Sequence, residues 1–114
     1  MRILVTGGRD YSNSERLFAA LDKVHKIKGI SLIIQGGARG ADSLAKEWAF
    51  SRGVPVCQFD ANWDFHGKKA GYIRNKDMLE LGLPDAAVAF SGGRGTASMV
   101  KLLKDNNIGV WVVD

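Results

Sequence analysis

Apolar and polar positions follow two rhythms along this chain. Five short runs are apolar nearly throughout: RILVT (2–6), ISLIIQ (30–35), VPVCQF (54–59), DAAVAF (85–90) and IGVWVVD (108–114). Runs of this length and composition predict parallel strands covered on both faces. The stretches between them repeat apolar residues three and four apart, the spacing of a helix with one buried side. In SNSERLFAALDKVHKIKG that side is Leu17, Leu21, Val24 and Ile27. Ser12 stands three before Glu15, a capping-box spacing, and Gly29 supplies a stop. ADSLAKEWAFSRG presents Leu44, Ala45, Trp48 and Ala49 and stops at Gly53. KKAGYIRNKDMLELG carries Ala70, Ile73 and Met78, with Gly71 weakening its first turn. TASMVKLLKDNN carries Met99, Val100 and Leu103 and stops near Asn107.

Strand and helix thus alternate from end to end, which predicts an α/β fold with one five-stranded parallel sheet between two helical layers. Three strands run into paired glycines with an arginine close behind: VTGGRD (5–10), IIQGGARG (33–40) and AFSGGRGTASM (89–99). These follow strands 1, 2 and 4. Of the two common orders, 2-1-3-4-5 and 3-2-1-4-5, only the second sets those strands side by side. It also puts the reversal of winding between strands 1 and 4, where open α/β sheets bind ligands. The expected order is therefore 3-2-1-4-5.

A strand-to-helix turn leaves the first helical N–H groups unpaired, and with the helix dipole they attract anions. Glycine lets backbone approach a phosphate, and arginine offers a planar fork of donors. One glycine turn is ordinary in any α/β protein; three of one kind on adjacent strands argue for a shared site. The expected ligand contacts are Gly7, Gly8, Arg9, Gly36, Gly37, Arg39, Gly40, Gly92, Gly93, Gly95 and Thr96. Neither a G-x-x-x-x-G-K-[ST] loop nor a complete G-x-G-x-x-G is present.

Composition narrows the partners. The chain has 114 residues, 46% hydrophobic and 25% charged, as expected of one globular domain spanning 1–114. Its net charge of +4 suits an anionic ligand but is also ordinary for solubility. No apolar run approaches the ~20 residues of a membrane span, and the start MRILVTGG lacks a signal-peptide core, so a cytoplasmic location and no membrane partner are expected. Cys57 is the lone cysteine and reads as a small buried hydrophobe. His25 and His66 are too scattered to hold a metal with it, and no metal or cofactor is expected. His25 reads as a solvated residue on the polar side of the first helix.

Four segments together carry a family likeness: TGGRDY; QGGARGAD, continued by LA and EWA; Trp63 with HGKKAGYIRN and the following ML; and FSGGRGTASMV. In this order they resemble the YspA-related branch of the SLOG superfamily, to which the "lonely guy" phosphoribohydrolases and the DprA-type DNA-processing proteins are related. The resemblance spans residues 6 to 100. It implies a Rossmann-like domain with a site for a nucleotide-derived ligand, and does not imply one reaction. The phosphoribohydrolases carry P-G-G-x-G-T-x-x-E and an upstream arginine in an R-K-x-x-M context. Here Gly92, Gly93, Gly95 and Thr96 match; Ser91 stands for the proline and Met99 for the glutamate. Arg74 and Met78 match at their spacing, with Asn75 in place of lysine. By this resemblance Arg74 is a ligand contact. A thioether neither moves a proton nor stabilises a cationic sugar, so Met99 argues against hydrolysis by that route.

Other residues have two readings each. Asp42, next to Gly40 at a helix start, either favours the helix dipole or meets a ribose hydroxyl or acts as a base. Asn75 reads a base edge or ribose, or holds structure. Asp10 is the other acid near the expected cleft; an enzyme here would depend on Asp10 or Asp42 with Arg74. Trp63 anchors a loop or stacks on a base, the anchor being the simpler reading. The lysines among His66, Lys68, Lys69, Arg74 and Lys76 read as a solvated face. The leading expectation is a nucleotide- or ADP-ribose-binding sensor or carrier. The alternatives are an N-glycosidic nucleotide hydrolase and a single-stranded nucleic-acid binder using 66–76. Trp111, on the expected edge strand, leaves a homodimer open.

Overall fold

The computed structural model describes residues 1–113. Its strands are β1 (Arg2–Thr6), β2 (Leu32–Gln35), β3 (Val56–Gln58), β4 (Ala86–Ala89) and β5 (Gly109–Val112). All pair in parallel, in the order β3-β2-β1-β4-β5, as the glycine turns led us to expect. The helices are α1 (Ser14–Lys28), α2 (Ala41–Arg52), α3 (Trp63–His66), α4 (Ala70–Glu80) and α5 (Arg94–Asp105), with a 3-10 turn at Gly67–Lys69 before α4. None is long and apolar enough to cross a membrane.

Alternation along the central strand builds two cores. Ile3 and Val5 face one side of β1 and pack with Leu17, Leu21, Trp48 and Phe90, beneath α1 and α2. Leu4 faces the other side and packs with Ile34, Met78, Met99 and Leu103, beneath α4 and α5. Trp48 is fully buried, and its indole N–H donates to Asp22 at 2.9 Å.

Several local expectations give way. The α1 cap is Asn13, whose side chain accepts from the Arg16 amide, so the Ser12–Glu15 spacing was not the operative signal. Ile27, expected on the buried side of α1, is 65% exposed. His25 is half-buried rather than solvated: its ring meets Trp48 edge-on, and Nδ1 accepts from the Ile30 amide at 2.9 Å. β5 is an edge strand with little cover, and Trp111 and Val112 stay exposed. The segment read as a loop around Trp63 forms α3, capped by Asn62. Asp114, in the last predicted strand, lies outside the described residues.

Candidate functional site

Gly8 is where the three glycine turns meet. Its N–H donates to Ser91 C=O at 2.9 Å, in the turn after β4. Its own C=O accepts from the Ala41 N–H at 3.2 Å, at the start of α2, and from Tyr11 N–H at the same distance. Approach this close excludes side chains. A Cβ on Gly40, which has φ +80°, would collide with the carbonyl oxygens of Gly8 and Arg9. A Cβ on Gly8 would sit 2.9 Å from Gly92 Cα.

The turns converge on a cleft of about 480 Å³ at the C-terminal ends of β1, β2 and β4. Of the predicted contacts, Gly7, Gly8, Arg9, Asp10, Gly36, Asp42, Arg74, Asn75, Gly93, Gly95 and Thr96 line it. Gly37, Arg39, Gly40 and Gly92 do not. Arg39 lies outside, 76% exposed, 3.5 Å from Asp10, which is 96% exposed. Gly40 is taken up in packing against Gly8, and Gly92 is packed against Gly8 and Thr96 and borders a neighbouring hollow.

The three turns are not equivalent toward an anion. In the second, the Gly36 and Ala38 amides both donate to Asp42 Oδ2 at 3.2 Å, and the Gly37 amide donates to Gln35 Oε1 at 2.5 Å. In the first, the Gly8 amide goes to Ser91. The three turns thus differ: the second takes up its Gly36, Gly37 and Ala38 amides internally, and the first takes up that of Gly8. Gln35 was the overlooked signal, a polar residue closing an apolar strand, and it is buried.

The third turn stays open. No side chain caps α5, and its first intrahelical bond runs from Ala97 N–H to Gly93 C=O, so the amides of Arg94, Gly95 and Thr96 precede the ladder. Nothing lies within 4 Å of a Cβ placed on Gly93 or Gly95. Neither glycine has a positive φ or a protein neighbour to demand it.

α4 forms the wall over this end. Arg74 donates from Nη1 to Gly36 C=O at 2.5 Å and from Nε to Asn75 Oδ1 at 3.0 Å. Asn75 is buried, and its amide reaches Gly95 C=O at 3.5 Å. Two adjacent side chains of one helix thus tie the second turn to the third, which is the structural reading of Asn75. Burial lowers the Arg74 pKa from its usual value and Arg9 adds to this, against the pull of Asp42 and Asp60. Asp42 is buried within the first turn of α2; burial raises its pKa to about 6, opposed by the Ala38 and Gly36 amides and the Arg74 charge.

Aromatic rings close the outer side. Trp63 lines the cleft, half-exposed, with the Arg9 guanidinium 5.8 Å from its ring centroid. Tyr72, also exposed, lines the same wall. Sequence reasoning passed over Tyr72; its place two residues before Arg74 on α4 was the available signal. Met99 is buried in the core beneath α5 and does not reach the cleft lining.

Comparison with known proteins places the chain in a family. The profile of the YspA, cpYpsA-related SLOG family matches residues 1–66, from β1 through α3. The chain is also 34% identical over 119 aligned positions to the "Gene 61 protein" of Mycobacterium phage D29, an alignment covering 99% of this chain and 94% of the phage protein.

Proposed function

Because the chain belongs to the YspA, cpYpsA-related SLOG family, we propose that it binds a nucleotide-derived or ADP-ribose-like phosphorylated ligand in the cleft under α4, as a sensor or carrier. The observation that carries this reading is the uncapped start of α5, where Gly93 and Gly95 leave open space beside unpaired amides. A phosphate fits there electrostatically. Arg9 and Arg74 add permanent positive charge along the same lining. Trp63 and Tyr72 offer ring faces on which a base stacks.

Binding is favoured over hydrolysis because the position of the phosphoribohydrolase glutamate holds Met99, sunk in the core. Titration calorimetry with nucleoside mono- and diphosphates and with ADP-ribose tests the proposal. Saturable one-to-one binding is expected, weakened about tenfold or more in Arg74→Ala with the circular dichroism spectrum unchanged. Failure of the parent protein to bind any of these ligands overturns it. Free base released during incubation would favour the hydrolase instead. Steeply salt-dependent binding of single-stranded DNA, lost when Lys68 and Lys69 are replaced, would favour the nucleic-acid reading.

A further inference from the structure

We infer that the free oxygen of the Asp42 carboxylate receives a sugar hydroxyl of the ligand, so that the cleft selects ribonucleotides over analogues that lack both ribose hydroxyls. This rests on the nucleotide reading above and adds the sugar to it.

The carboxylate is buried, with the whole residue only 8% exposed, and both of its backbone donors, Gly36 N–H and Ala38 N–H, fall on Oδ2. Among the described residues, every fully sealed side-chain polar atom has a hydrogen-bond partner. Oδ1 has no protein donor and is therefore not sealed. Asp42 lines the cleft, and we assign the opening beside Oδ1 to it. A carboxylate oxygen in so confined a place favours a neutral hydrogen-bond donor and repels a phosphate.

The position of that oxygen fixes the order of groups along the ligand. The second turn has its amides taken up and a negative charge at its centre, so the phosphate belongs at the start of α5. The neighbouring side chains Arg74 and Asn75 reach Gly36 C=O and Gly95 C=O respectively. The two turns are thus separated by no more than adjacent side chains of one helix span. In a nucleotide, the group that close to the phosphate is the sugar, and its hydroxyls are the neutral donors Asp42 calls for. The base then lies outward, toward Trp63 and Tyr72. Burial has raised the Asp42 pKa to about 6, and a hydroxyl donated to it favours the charged form.

The test is calorimetry on the full chain with the nucleoside 5′-mono- and diphosphates of the four common bases, each beside its 2′,3′-dideoxy analogue. For whichever ribonucleotide binds, the dideoxy analogue is expected to bind about tenfold to a hundredfold more weakly, because it leaves a buried acceptor unmet. Asp42→Asn keeps an oxygen for the Gly36 and Ala38 amides and turns an NH2 toward the cleft. It is expected to shrink the gap to about threefold or less. Equal binding of the two forms by the parent overturns the assignment of the sugar and leaves nucleotide binding standing. A gap that persists undiminished in Asp42→Asn overturns the role of Asp42. Binding of neither form overturns the nucleotide reading, and this inference with it.

Discussion

The turn after β2 and the turn after β4 are written in nearly the same letters, QGGARG and SGGRGT, and behave in opposite ways. In the first, glycine serves the protein: the amides fold back on Asp42 and Gln35, and Gly40 admits the backbone of Gly8. In the second, Gly92 also packs against Gly8, but Gly93 and Gly95 have no protein neighbour to accommodate, and the amides that follow lack acceptors. What separates them is the residue available to take up the donors. A carboxylate two positions past the glycine start of α2 closes one turn; α5 has no acid in its first turn. Here the glycine-rich turn with a carboxylate behind it closes on itself, and the one without keeps its leading amides free.

The contrast is broken most severely at Gly40. Gly40→Ala puts a methyl group against two carbonyl oxygens at a positive φ and should lower stability by about 3–5 kcal/mol, measured by urea unfolding. The next effect is on pH. The Asp42 pKa is raised from 3.8 to about 6 in the folded protein. Between these values the folded state holds more protons than the unfolded one, so the contribution of Asp42 to stability falls as pH rises from about 4 to about 6 and is flat above. The fall is about 3 kcal/mol. Asp42→Asn removes it, so subtracting the variant's stability–pH curve from the parent's should expose this descent; a flat difference would show that the carboxylate is not desolvated. The smallest effect on stability belongs to the open turn. Gly95→Ala should raise stability by about 0.5 kcal/mol, as alanine does in a helix, while weakening nucleotide binding about tenfold. The same substitution thus separates a glycine kept for a ligand from one kept for the fold.

The strand order was legible because three like turns had to be neighbours, and apolar runs fixed where the strands lay. The convergence of the turns followed from that order. What escaped was the destination of individual donors. Gln35 ends an otherwise apolar strand, and Asp42 fits a dipole argument as well as a functional one; only geometry shows both reaching back to the Gly36–Ala38 amides. α3 was missed because DANWDFHG has no helical repeat of apolar positions, and its start is capped by the Asn62 side chain, which accepts from the Phe65 amide. His25 was misread because its partner, the Ile30 amide, lies beyond the helix end.

The paired grip of Arg74 and Asn75 bears on how a guest would be received. One side chain holds the turn after β2 and its neighbour holds the start of α5, so the roof of the cleft is latched to both rims by the protein's own bonds. A visitor would meet a chamber already assembled, and association would not have to freeze a wandering lid. Recognition of that kind is set by fit at the moment of entry, with little rearrangement to follow.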